Sequence, residues 1–184
     1  HHWSTMGAYQ GYQALMTSMT GSYTQLDTQP TLVSDRFYGT TWSSAGAAWV
    51  GPDEMYTLVP EGGLTGNTTV TRYPSGQPEE GTFYDLSKLE VKDKYSMFLG
   101  GNQGLCVIQN PDAQGGKLLV VRDSYADSLA PFLSLDYQEV HLFDLRYNLM
   151  SLKQYVVDND IDQVLVLYSN SNFSTDSNLA LLGY

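Results

Sequence analysis

Lys117-Leu118-Leu119-Val120-Val121-Arg122-Asp123-Ser124-Tyr125-Ala126 is the stretch whose reading decides the fold. Residues 117–121 are apolar and partly β-branched, the signature of a buried strand. The strand ends at Arg122-Asp123-Ser124, and a helix carrying Tyr125, Leu129, Phe132 and Leu133 is predicted beyond it. Residues 139–145 read as a second strand. Residues 150–159 read as a second helix with Leu152, Tyr155 and Val156 inward, and residues 163–168 as a third strand. Each connection is long enough for a crossover helix, so the order β-α-β-α-β predicts a parallel sheet with helices on its faces. Reactive groups in such sheets gather beyond the carboxyl ends of the strands. Ser124, Arg146 and Asn170 all stand there.

Upstream, residues 4–19 have helical periodicity, with Met6, Tyr9, Met16 and Met19 on one stripe, Ser4 as the N-cap and Gly21 as the stop. Residues 22–116 are less regular. Strand-like pieces at 32–38, 47–50, 55–59, 67–73 and 105–109 alternate with turn chemistry at 60–66 and 74–81. Hairpins or long loops decorating a core made elsewhere are expected there. No internal repeat is present.

Composition narrows the function. The chain has 184 residues, 42% hydrophobic and 16% charged, which suits one globular domain. With 9 Lys+Arg against 20 Asp+Glu, the net charge of -11 repels phosphate backbones, so nucleic acid is not an expected partner. No apolar run is long enough to span a bilayer. Cys106 is the single cysteine and lies in an apolar run, so neither a disulfide framework nor a thiolate zinc site is expected. No further ligand follows the His1-His2 pair at metal-binding spacing, and Asp158, Asn159, Asp160 and Asp162 lack calcium-loop spacing, so no metal or other cofactor is expected. The 14 tyrosines suit either a sugar-binding cleft or half-buried strand positions. The chain opens on His1-His2-Trp3 and runs at once into a helix, which reads as a piece of a longer protein.

Ser124 sits where a strand gives way to a helix. Its hydroxyl can stand exposed there as a nucleophile, with nearby backbone N–H groups to hold an oxyanion, or it can simply cap the helix. A serine nucleophile needs a base, and the chain has 3 histidines. His141 is mid-strand, more in keeping with a structural residue, which leaves His1 and His2. Arg146 can bind a substrate carboxylate or pair with Asp144. Asn170 and Asn172 can donate to an oxyanion or serve a turn. Gly100-Gly101-Asn102 permits close backbone approach to a ligand, or a tight turn.

Taken together, His1-His2-Trp3 with Ser4-Thr5-Met6-Gly7-Ala8-Tyr9, Phe98-Leu99-Gly100-Gly101-Asn102, Arg122-Asp123-Ser124-Tyr125-Ala126 and Asp144-Leu145-Arg146-Tyr147 resemble the bacterial DHHW protein family. That family is similar to the alginate O-acetyltransferases and lies near the SGNH hydrolases. The resemblance implies a three-layer, flavodoxin-like sheet as one SGNH-like domain over residues 1–184 that lacks its N-terminal part. Its parts are the His motif and helix at 1–21, an insertion at 22–116 and the core at 117–184. It implies a circularly permuted motif order in which His2 is the base and Ser124 the nucleophile. The triad aspartate falls just before His1. Asn170, Asn172, Gly100, Gly101, Arg146 and Asp123 are the implied oxyanion or supporting residues. The family's Gly-Asp before the serine is Arg122-Asp123 here. The implied activity is that of an esterase or O-acyltransferase acting on a cell-envelope or extracellular glycan. The alternative is a non-catalytic carbohydrate-binding or structural envelope protein with the same fold.

Overall fold

The computed structural model describes every residue of the chain except Ala47 and Tyr184. The elements run α1 (Thr5–Thr20), β1 (Thr31–Phe37), α2 (Thr40–Ala45), β2 (Asp53–Thr57), β3 (Thr69–Arg72), β4 (Glu79–Gly81), β5 (Leu105–Gln109), β6 (Gly115–Arg122), α3 (Ala130–Leu133), β7 (Tyr137–Phe143), α4 (Leu152–Asp158), β8 (Gln163–Leu167) and α5 (Asn170–Thr175), with short 3-10 turns between them. The first helix is bounded as its sequence predicts: Ser4 Oγ accepts from Gly7 N at 3.2 Å, and Gly21 closes it in the left-handed region at φ 85°.

The fold is mixed α/β. A six-stranded sheet has the order β4-β3-β5-β7-β6-β8, and β1 and β2 form a separate antiparallel pair. β6 pairs in parallel with β7 on one side and β8 on the other, as the β-α-β-α-β pattern predicts. The rest departs from an all-parallel sheet. β5 joins β7 antiparallel, and β3 and β4 extend the sheet from it, also antiparallel. Residues 69–109 therefore build part of the central sheet instead of decorating it. Cys106 and Ile108 are fully buried in the main core, apolar surface that a peripheral hairpin would leave wet.

Three local expectations change. Residues 79–81, expected as turn, form the edge strand β4 opposite Val70–Arg72. Of the strand expected at 47–50, residue 47 lies outside the described residues, and 48–50 are turn and bend following α2. The helix expected after Ser124 is a 3-10 turn (Ser124–Ala126) followed by the short α3, with Pro131 at its start.

Alternation along the strands divides the core. Leu118 and Val120 of β6 and Val140 and Leu142 of β7 face α1 and α3, where Ala8, Tyr12, Met16 and Phe132 are buried. Leu119, Val121 and Phe143 face the other way and pack with Leu152 of α4. No helix among the described residues is long and apolar enough to cross a membrane.

Candidate active site

β6 lies between β7 and β8, so the chain leaves it in one direction and later returns on its other side. The crevice at such a reversal, beyond the strands' carboxyl ends, is where ligands gather in α/β sheets. Ser124 stands at this point. It does not cap the turn that follows. Asp123 does, its Oδ1 accepting from Tyr125 N at 3.0 Å, which leaves the Ser124 hydroxyl free for another partner.

That partner is His2. Its Nε2 lies 2.8 Å from Ser124 Oγ, although 122 residues separate them. Packing of α1 brings it there. Ala8, Tyr12 and Met16 bury one face of the helix, and its amino end is carried to the end of β6. Thr5 Oγ1 donates to the Tyr56 carbonyl at 2.6 Å, and the Tyr125 hydroxyl donates to the His1 carbonyl. Trp3 folds back over Gly11, where an added Cβ would meet the indole at 2.6 Å and push it aside. The His2 ring lies flat on Tyr95, with centroids 3.6 Å apart and 8° between planes. The Tyr95 hydroxyl donates to the Ser124 carbonyl at 3.1 Å and shares a hydrogen bond with Ser128 at 3.1 Å. One tyrosine thus supports both members of the pair. Burial pushes the His2 imidazole down to about 4, against the pull of Asp123 and Asp93. It is neutral at pH 7 and able to accept a proton.

Asp123 anchors the floor. Its Oδ2 accepts from Ser169 N (3.0 Å), Ser169 Oγ (2.9 Å) and Asn172 Nδ2 (2.8 Å), tying the end of β6 to the loop after β8. Burial opposes its charge, but the hydrogen bonds from Ser169, Tyr125 and Asn172 outweigh it and hold the carboxyl below the usual range.

A cavity of about 380 Å³ opens on the pair, lined among others by Tyr38, Asp93, Gly101, Asn102 and Asp127. Of the residues singled out in the sequence, Ser124, His1, His2, Gly101 and Asn102 line it. Asn172 is spent on Asp123, and exposed Asn170 is not among the lining residues. Gly101 N–H donates to the Phe98 carbonyl, and a side chain on Gly100 would run into the Arg72 guanidinium. Arg146 grips Asp144 through Nε (2.9 Å) and Nη2 (2.6 Å) and is likewise absent from the cavity lining.

Tyr95 was not legible as a site residue, and Asn102 was legible only as part of Gly100-Gly101-Asn102. Arg122 is fully buried, and its Nη1 lies 2.9 Å from Asp127, 3.5 Å from Asp144 and 3.4 Å from Asn102 Oδ1. A guanidinium only donates, so the Asn102 oxygen faces it and the Asn102 amide N–H₂ points elsewhere. Burial pushes Asp127 up to about 7, against the pull of Arg122. The sequence signal for Asn102 was its place directly after Gly100-Gly101.

The DHHW protein family model matches residues 1–143. This chain belongs to the DHHW family. Among solved structures, it is similar to a DHHW family protein from Eubacterium siraeum DSM 15702, with 20% identity, a TM-score of 0.76, 100% of this chain and 61% of that one covered. It is also similar to Bacillus cereus PatB1 bearing a sulfonyl adduct, with 24% identity, a TM-score of 0.73 and 97% and 61% covered. A second PatB1 structure matches at 22% identity and a TM-score of 0.72, with 97% of this chain and 63% of that one covered. The DHHW chain thus spans less than two thirds of the length of the proteins it resembles, and at these identities the likeness is one of fold. No curated protein matches it.

Proposed function

We propose that this DHHW chain is the serine-dependent acyl-transfer unit of a bacterial cell-envelope or extracellular enzyme, an esterase or O-acyltransferase acting on acylated glycans. Residues 1–184 would form one SGNH-like domain, its sheet the middle of three layers. The observation that carries the proposal is the 2.8 Å contact of His2 Nε2 with Ser124 Oγ at the edge of a cavity. PatB1, a fold relative, is known with a sulfonyl adduct, which makes sulfonyl electrophiles natural probes here.

In the mechanism this geometry supports, Ser124 Oγ attacks the ester carbonyl as its proton passes to His2 Nε2. The carbonyl π electrons move to oxygen. The backbone N–H of Ser124 and the amide of Asn102, which lines the same cavity, would donate to that oxyanion. Collapse breaks the bond to the leaving alkoxide, which takes the proton from His2 and leaves an acyl-serine. Water or a sugar hydroxyl then attacks the acyl carbon as its proton passes to His2, the bond to Ser124 Oγ breaks, and His2 returns the proton to Ser124. The DHHW resemblance puts the aspartate that would orient His2 immediately before His1.

Turnover of p-nitrophenyl acetate, with and without an oligosaccharide acceptor, tests the proposal. Release of nitrophenolate that disappears in Ser124→Ala supports it, and acetylated oligosaccharide identifies a transferase. Equal rates in wild type and Ser124→Ala refute it. The non-catalytic alternative predicts that equality together with retained glycan binding.

A further inference from the structure

A second cavity of about 570 Å³ lies on the sheet face opposite α1 and α3. None of its lining residues lines the Ser124 cavity. Its floor is made by β3, β5 and β7, through Thr71, Val107, Glu139 and His141, and its walls include Tyr73, Tyr147 and Tyr155. The volume falls in the ~300–1,000 Å³ range of small-ligand sites.

The polar groups within it have fixed roles. His141 Nε2 lies 2.9 Å from Glu139 Oε2 and Nδ1 lies 2.7 Å from Tyr155 Oη. Burial lowers the imidazole pKa against the opposing pull of Glu139, so the ring is neutral at pH 7 and carries one proton. The carboxylate can only accept, so that proton is on Nε2, and Nδ1 accepts from the Tyr155 hydroxyl. The Tyr155 oxygen keeps lone pairs for a ligand, and the second Glu139 oxygen lies 3.8 Å from the Lys117 ammonium. Burial pushes the Tyr155 phenol above its ordinary range, so this chain of bonds supplies hydrogen-bonding sites and no nucleophile.

We infer that this cavity binds a neutral oligosaccharide, at a site separate from Ser124 and independent of its chemistry. Tyrosine faces match the C–H faces of pyranose rings, while Glu139, Gln109 and the Tyr155 oxygen match hydroxyl groups. No Lys or Arg is among the lining residues, and the chain's net charge of -11 disfavours anionic sugars. Tyr147 reaches furthest into solvent at 58% exposure, with Arg146 5.4 Å from its ring centre, and can serve as the open edge of the platform.

Isothermal titration of the full chain carrying Ser124→Ala with cellotetraose, N-acetylchitotetraose and tetragalacturonate tests this. Saturable binding of either neutral tetrasaccharide is expected, weakened at least tenfold by Tyr147→Ala and by Tyr155→Phe and at least tenfold weaker for tetragalacturonate. Tyr147 is exposed, so its replacement leaves the fold intact, and unchanged thermal melting checks this. Absence of binding at millimolar sugar overturns the inference, as does binding lost on Tyr38→Ala in the Ser124 cavity and kept in Tyr147→Ala. Neither result bears on whether Ser124 is a nucleophile.

Discussion

His2 Nε2 and Ser124 Oγ lie 2.8 Å apart, joined across 122 residues of chain, with the His2 ring stacked on Tyr95. A contact of that length between imidazole and hydroxyl is the starting geometry for proton transfer. His2→Ala removes the acceptor, and the rate of ester cleavage should fall ~10²–10⁴-fold while folding is kept. Stopped-flow acylation, with circular dichroism as the folding control, measures it.

The pH profile follows from the sign of the His2 shift. The imidazole is lowered from 6.5 to about 4 in the folded chain, so its base form survives well below neutrality. The acidic limb of kcat/KM should therefore fall below pH 6.5, toward 4. Stability has the same sign. The unfolded chain binds the proton more readily, so this contribution is complete above 6.5 and is lost as pH falls from there through about 4. Urea titrations at stepped pH report it.

Asp123 bridges the end of β6 to Ser169 and Asn172. Asp123→Asn faces those donors with an amide, and each donor left without its carboxylate costs about 1–3 kcal/mol. Because the Asp123 pKa is depressed, its contribution is present above the ordinary carboxylate value and is lost as pH falls through the lowered one. Wild type and variant should differ at pH 7 and converge in strong acid, as chemical denaturation can read.

Arg122 is the cation that Asp127 and Asp144 share in the core. Arg122→Met should destabilise the fold by about 3–5 kcal/mol, the usual consequence of leaving buried charge uncompensated. Arg122→Met combined with Asp127→Asn should recover part of that loss in equilibrium unfolding.

Asn102→Ala separates oxyanion stabilisation from proton transfer. Loss of one oxyanion donor should lower kcat about 10²–10³-fold. The Ser124–His2 pair is untouched by this change, so the position of the acidic limb should not move.

Local periodicity made α1 and the β6–β7–β8 parallel core legible, because each segment alternates or repeats with the surface it buries. The place of β5 was not. Leu105-Cys106-Val107-Ile108-Gln109 reads as a strand, but nothing local says that it pairs with β7 rather than with a hairpin partner. At the site, Ser124 was singled out by its place after a strand and the His1-His2 pair by a shortage of histidines, and the family resemblance alone chose His2. Tyr95 and Asn102 act through a stacking contact and a hydrogen bond formed only in three dimensions, and Asn172 looked free only because Asp123, its partner 49 residues away, was not yet beside it.

Covalent labelling with a fluorophosphonate, read by intact mass and peptide mapping, tests the acyl-transfer proposal most directly. One adduct on Ser124, absent from Ser124→Ala and slowed in His2→Ala, is the predicted result. No adduct on protein that includes the residue before His1, or an adduct that survives Ser124→Ala, would contradict it.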